Sequence, residues 1–423
     1  MSTSAAGGIL HGPQPARAVL LLGILSGLAV PLYFLGLAHE TPLAWDFIAY
    51  YAAGEAVFQG ESFVGLVPPF GEGTYVYPPV VVLGFLPLVL LGDWTAAYLL
   101  HALLSVILLG SLGVLCVREL DHLGVEIAEV DKALIVAFTT LSLYPMVALG
   151  LGQVDPLVAV LLAGSFLALE RRQAWRAGSG LALAAVIKLF PAAFAIILLR
   201  LRRWRAALAA LVVGTAITGT SVLVFGASVH RDYITLITEK RSRLSAFAEG
   251  MDPNFFDVTL ARPLAALLPD VYPIAYLVVA VALVAPAVYV VYDRVETRLD
   301  RHVAYLATMT AVLIASPATN LNHLLYLYFP LVVLIYALDH PRQRAILLGG
   351  LVVLLLPVQP EQLSTALSAA GASPTTVASV DAVARQLMST ASVALVGAAI
   401  VLIGCVAAAL DLEFESLGHE RRD

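Results

Sequence analysis

Long apolar runs, repeated along the chain, constrain this sequence more than anything else in it. They fall at 17–38, 95–117, 132–149, 154–170, 205–225, 271–292, 303–317, 324–338, 343–358 and 390–410. A helix of about 20 apolar residues crosses the hydrocarbon core of a bilayer. Of 423 residues, 60% are hydrophobic and 13% charged. A soluble domain carries roughly 25% charged residues, so water could not cover this much apolar surface. The chain is therefore expected to be an all-α polytopic membrane protein. A net charge of −6 lacks the basic stripe a nucleic-acid partner requires. Cys116 and Cys405 sit inside apolar runs and have neither disulfide nor metal-site spacing. No basic stretch precedes the first run between Met1 and Pro15, and no small-residue cleavage site follows it, so it reads as a retained span.

Basic clusters set the expected orientation, because loops rich in Lys and Arg stay on the cytoplasmic side. The clusters are Arg171, Arg172 and Arg176; Arg200, Arg202, Arg203 and Arg205; Arg294, Arg298 and Arg301; Arg342 and Arg344; Arg421 and Arg422. Outer loops are then expected at 39–77, 226–270, 318–323 and 359–389, with cytoplasmic tails at 1–16 and 411–423. Loop 39–77 holds no Lys or Arg. Two runs resist simple assignment. Residues 178–199 carry Lys188 and Pro191 mid-run and have basic residues at both ends. Parity asks them to enter and return as two half-helices; a single span against the charge rule is the alternative. Residues 78–91 are too short to span and read as re-entrant. Broken helices at membrane depth are tolerated where they line a cavity. The expected architecture is one transmembrane catalytic domain, 17–410, of about 11–13 transmembrane or re-entrant helices.

The chain has no phosphate-binding glycine loop, dinucleotide fingerprint, HExxH or CxxC. Polar residues gather instead near the outer ends of spans. The first group follows span one: Trp45-Asp46-Phe47, then Tyr50, Tyr51, Glu55, Glu61, Glu72, Tyr75 and Tyr77. Aromatic faces stack on sugars and carboxylates accept from hydroxyls. An interfacial aromatic belt with solvated acids is the alternative, and it suits Glu61 and Glu72 better than Asp46. A partly desolvated Asp46 would have a raised pKa and suit a general base. In Gly152-Gln153-Val154-Asp155-Pro156, Asp155 is expected to cap the next helix, with Gln153 open to a binding role. Lys188 is costly in an apolar run and points to a bound anion, with snorkelling as the alternative. The turn Ser316–His323, which includes Asn320, is dense in donors and acceptors, and His323 opens the next helix, where a phosphate or sugar could be met; a lone capping or interfacial His is the alternative. Loop 226–270 carries Arg241, Arg243, Asn254-Phe255-Phe256 and Arg262, which suit either an anionic substrate or ordinary surface pairs.

The ordered set Asp46-Phe47-x-x-Tyr50-Tyr51-x-Ala53-Gly54, Tyr77-Pro78-Pro79, Gly152-Gln153-Val154, Lys188-Leu189-Phe190-Pro191 and Ser316-Pro317 with His323 resembles glycosyltransferase family 87. This is a branch of the GT-C membrane glycosyltransferases that use polyprenyl-phosphate sugars. Asp155 departs from the Asn common in the family, and Asn254-Phe255-Phe256 from a more Asn-Gln-Ser-like stretch. The resemblance implies a GT-C-type bundle in the plasma membrane with an outer-face active site. A hexose (mannose-like) or pentose would pass, with inversion, from a polyprenyl-phosphate donor to a glycan or glycolipid hydroxyl. It implies Asp46 as general base and Lys188 and His323 on the donor phosphate. Tyr50, Tyr51, Tyr77, Gln153, Asp155, Asn254, Arg262 and Asn320 would bind sugar or acceptor. No metal or cofactor is expected, and no nucleic acid. A transporter or flippase of a lipid-linked or small polar solute is the rival, as is a ligase moving a whole lipid-linked glycan.

Overall fold

The computed structural model describes residues 14–36, 43–68, 73–242, 252–254, 257–268, 271, 273–317, 319–356 and 358–420. Glu72, Arg243, Phe255, Phe256, Arg421, Arg422 and the tail before Gln14 lie outside the described residues, as do the side chains of Arg241 and of the tail after Leu410. All described regular structure is helical. The chain divides into two compact units, Gly23–Arg241 and Met1–Leu22 with Ser242–Asp423.

The helices met first along the chain are α1 (Gln14–Gly36), α2 (Trp45–Gln59), α3 (Leu86–Val89), α4 (Trp94–His122), α5 (Glu129–Leu141), α6 (Leu143–Leu151), α7 (Asp155–Glu170), α8 (Ala174–Ile187), α9 (Ala195–Arg200) and α10 (Trp204–Ser242). Short 3-10 turns at Pro79–Gly84 and Phe190–Phe194 precede α3 and α9. Proline explains two breaks. Its ring clashes with the carbonyl four residues back, and it has no N–H to bond that carbonyl. The α5–α6 run breaks after Leu141, four before Pro145, with Ser142 extended. α8 ends at Ile187, four before Pro191, with Lys188 extended at φ −138° and ψ 140°. The expected break at Lys188 is therefore present.

The other unit holds α11 (Ala261–Leu267), α12 (Pro273–Asp293), α13 (Arg298–Ala315), α14 (Tyr328–Ala337), α15 (Pro341–Leu354), α16 (Pro360–Ala369), α17 (Pro374–Thr390) and α18 (Val393–Glu420). A 3-10 turn, Leu321–Leu327, leads into α14. Thr297 and Asp300 form a reciprocal cap at the head of α13. From His302 to Ala311 every α13 residue is buried, and the helix packs against α12, α14 and α18. A helix apolar all round belongs inside a bundle.

Among the described residues, six helical stretches are long and apolar enough to cross a membrane: Gln14–Leu32, Trp94–His122, Glu129–Leu151, Trp204–Thr238, Ile274–Asp293 and Val393–Leu410. The protein is thus an all-α polytopic membrane protein. Leu99, Leu103 and Ile107, one stripe of α4, are each more than half exposed. Such a stripe is a liability in water and a contact face in lipid. The other expected runs form shorter helices, or, in α13, carry charges at the end.

Three of the stretches expected between spans contain helix. Residues 39–77 are expected as a loop, but 45–59 form α2, whose Phe47, Tyr50 and Tyr51 are buried. The aromatics are the helix's packing face. Residues 359–389 are almost wholly α16 and α17, a hairpin joined by an Asp381–Ser364 hydrogen bond of 2.8 Å. The helix of span 205–225 continues past a kink at Gly226 to Ser242, where loop 226–270 was expected. His230 bridges the kink, with its ring nitrogens 2.9 Å from Ser221 Oγ and 2.9 Å from the Gly226 carbonyl.

Candidate active site

The site lies within the unit Gly23–Arg241 and begins at the head of α2. Asp46 stands in its first turn, where a carboxylate favours the helix dipole. Asp46 and Tyr50 share one face at i, i+4. Phe47 and Tyr51 share the next, with ring centroids 6.3 Å apart. The Ala44 amide donates to the Gly150 carbonyl at 2.7 Å, tying this first turn to the α6–α7 turn. Gly152 makes that turn at φ +69°, and a Cβ there would come within 2.5 Å of Phe47 Cβ. Glycine alone serves both needs: the left-handed backbone and the close approach.

Gln153 follows, almost fully buried, and becomes the hub. Its Nε2 donates to Asp46 Oδ2 at 2.6 Å. Its Oε1 lies 3.2 Å from Tyr50 OH, 3.0 Å from Tyr77 OH and 3.2 Å from Lys188 Nζ. Tyr50 OH also reaches Tyr77 OH at 3.0 Å. The Lys188 ammonium donates to both oxygens of Asp155, at 2.8 and 2.9 Å, and sits 5.8 Å from the centre of the Tyr77 ring. The extended backbone at Lys188, imposed by Pro191, begins the irregular stretch from which this side chain reaches the pair.

Asp155 is expected as a helix cap, and here the structure differs. Val154 occupies the cap position, and α7 begins at Asp155, with Pro156 in its first turn. The Asp155 carboxylate is wholly buried against Lys188. A buried ammonium needs a counter-charge more than a helix end needs one of several substitutes for a cap.

The two carboxylates therefore live differently. Asp155 has an ammonium in direct contact, whereas Asp46 has an amide. Burial pushes the Asp46 pKa up to about 6; the Gln153 hydrogen bond and the Lys188 charge hold it down, and the Asp155 charge adds to the rise. Asp46 is nonetheless only half-buried, so protons can reach it. Burial raises the Tyr50 and Tyr77 phenols well above their usual range, so both stay neutral O–H donors.

Asp46, Tyr50, Tyr77, Gln153, Asp155 and Lys188 thus come together. Tyr51 packs beside Phe47 on the neighbouring face. The remaining candidates belong to the other unit. Arg262 is buried, and its Nη2 donates to the Asp252 carbonyl at 2.6 Å. The Asn254 carbonyl accepts from Gln359 Nε2, while Asn254 Oδ1 is buried without a hydrogen-bond partner. His323 Nδ1 accepts from the Asn320 amide at 3.0 Å, which leaves the neutral ring's proton on Nε2. The Val258 amide donates to the Thr319 carbonyl at 2.8 Å, so the Asn254–Arg262 and Asn320–His323 segments are neighbours.

His101 of α4 is a site neighbour that the motifs do not pick out. Its Nε2 lies 3.3 Å from the Gln153 carbonyl, and its ring packs 5.1 Å from Phe47. A lone ionisable residue within an apolar span was the available signal.

Among the described residues, six helical stretches long and apolar enough to cross a membrane, and a buried side-chain network ending on a part-buried acid, define a membrane protein with a built polar site. The model of glycosyltransferase family 87 matches residues 75–317, more than half of the chain, and the chain belongs to that family. It is a membrane glycosyltransferase, which sets the transporter rival aside. No curated protein matches it. The matched segment includes Tyr77, Gln153, Asp155 and Lys188. Asp46 and Tyr50 precede it and are joined to it by hydrogen bonds to Gln153.

Proposed function

We propose that this glycosyltransferase moves a hexose, mannose-like, or a pentose from a polyprenyl-phosphate donor to a hydroxyl of a glycan or glycolipid. Transfer takes place at the outer face of the plasma membrane, with both termini and the basic loops cytoplasmic, in one catalytic domain spanning 17–410. The observation that carries the proposal is Asp46: a half-buried carboxylate held at 2.6 Å by Gln153, with its pKa raised to about 6. A base that titrates near the working pH is suited to taking a hydroxyl proton as the bond forms. The acceptor oxygen attacks the anomeric carbon from the face opposite the leaving phosphate, its proton passes to Asp46, and the configuration inverts. Tyr50 and Tyr77 present neutral O–H groups beside the base. Lys188 is assigned to the leaving phosphate, sharing its ammonium with Asp155, as an electrostatic stabiliser. His323 is assigned the same role on the resemblance alone, and Tyr51, Asn254, Arg262 and Asn320 are assigned to sugar or acceptor on the same ground.

Membranes containing the protein are expected to incorporate label from a polyprenyl-phosphate sugar and none from the same sugar on a nucleoside diphosphate. Incorporation from the nucleotide sugar, in membranes stripped of polyprenyl phosphate, would overturn the donor assignment. A His323→Ala variant with unchanged donor KM would remove that residue from the phosphate.

A further inference from the structure

We infer that Gln153 is a positioning residue, locked by Lys188 and Asp155 so that its amide NH2 holds Asp46 as a base while its carbonyl oxygen is taken up by protein donors and accepts nothing from the sugar. This inference rests on Asp46 being the base. It begins with the side chain's own valences. Its carbonyl oxygen has two lone pairs and faces two phenol O–H groups and an ammonium, at 3.2, 3.0 and 3.2 Å. Tyr50 has one hydrogen for two acceptors, Tyr77 OH at 3.0 Å and Gln153 Oε1 at 3.2 Å. The lone pairs are filled when Tyr77 and Lys188 donate to the amide and Tyr50 donates to Tyr77. On the other side, the amide NH2 meets Asp46 Oδ2.

The reverse amide orientation fails on both sides at once. It would set NH2 hydrogens against the Lys188 ammonium and the carbonyl oxygen against the Asp46 carboxylate. An ammonium cannot become an acceptor, so Lys188 is the element that fixes the sense of the amide. Asp155, wholly buried, keeps that ammonium in place with both oxygens. The chain from Asp155 through Lys188 and Gln153 to Asp46 draws on three segments, from the α6–α7 turn, the Pro191 break and α2. The Gln153 oxygen is filled by protein donors. No free acceptor remains there for a sugar hydroxyl.

Among the described residues, the charged groups facing Asp46 are Lys188 and Asp155, with the neutral phenols of Tyr50 and Tyr77 beside them. Loss of the Gln153 donor removes an interaction that favours ionised Asp46. The acid limb of the pH–rate profile then moves to higher pH. Asp155→Asn removes a negative charge and moves the limb down; Lys188→Met moves it up; the pair together returns it towards the wild-type position.

The test is the pH dependence of kcat/KM for transfer from a labelled polyprenyl-phosphate sugar, with Gln153→Ala and the shape-preserving Gln153→Met. Detergent size-exclusion confirms that each variant is folded. The expected result is an acid limb raised by at least half a pH unit in both, with donor KM within about twofold of wild type. An unmoved limb with a donor KM raised tenfold or more would make Gln153 a sugar ligand and overturn the inference, leaving Asp46 as base. Full transfer by Asp46→Asn would instead overturn the base assignment on which the inference rests.

Discussion

Lys188 and Arg262 are both cations drawn out of water, and they are held in different ways. Lys188 meets a wholly buried carboxylate and an amide side chain, in a network that ends on the part-buried Asp46. Arg262 donates to a backbone carbonyl, that of Asp252, in a segment joined by further backbone contacts to Thr319 and Ile314. The first arrangement couples side chains from distant stretches and ends on a group that titrates. The second fastens one chain segment to another. The charges of Asp257 and Asp252 also act on Arg262, so its surroundings include residues five and ten positions away in the chain, whereas the partners of Lys188 come from distant stretches.

The largest test of this contrast lies at the titrating end. Asp46→Asn keeps the shape and an acceptor for Gln153 while removing the base. Transfer is expected to fall by about 10²–10⁴-fold. Arg262→Met, at a residue assigned to sugar or acceptor and not to the base, should act through substrate KM more than kcat, and an equal loss of kcat would break the contrast.

Next comes Lys188→Met, which leaves Asp155 buried without its counter-ion. The expected cost is about 3–5 kcal/mol, read by thermal unfolding in detergent. Adding Asp155→Asn should recover most of it. Failure to recover would mean that Asp155 does not need the lysine. Arg262→Met removes the charged donor from the Asp252 carbonyl, a loss that should cost less, about 1.5–3 kcal/mol.

Gly152→Ala ranks third. The left-handed backbone and the 2.5 Å approach to Phe47 should together cost about 1–3 kcal/mol, and transfer should drop as Gln153 moves from Asp46. The last effect is confined to acid pH and falls on stability. The Asp46 pKa is raised from 3.8 to about 6 in the folded protein, so the native state holds its proton longer than the unfolded chain. Stability therefore declines as pH rises across that window, and Asp46→Asn should flatten the decline.

The spans were legible because hydropathy acts residue by residue, and the break at Lys188 because Pro191 acts four residues back. The residues of the site were legible as types: Asp46, Gln153 and Lys188 stand out as polar groups near apolar runs. Their pairing was not. Asp155 carries an ordinary capping signal beside Pro156, and nothing local announces that a lysine 33 residues on will claim it. Helix α2 was hidden for a related reason. Its aromatics match a membrane-surface belt as well as a packing face, and its helical spacing lies within a charged, glycine-containing stretch. The α16–α17 hairpin, short and rich in small polar residues, falls below the hydropathy that marks a span.

The central claim is that Asp46 is the base of sugar transfer, poised by burial and by Gln153. The most direct measurement is the pH dependence of kcat/KM for transfer from a polyprenyl-phosphate sugar in wild-type membranes, set beside Asp46→Asn. The account predicts activity that rises with pH through a midpoint near 6, as Asp46 gives up its proton, and a variant whose residual activity lacks that limb. An Asp46→Asn variant that keeps wild-type activity, or the same limb at the same pH, would contradict it.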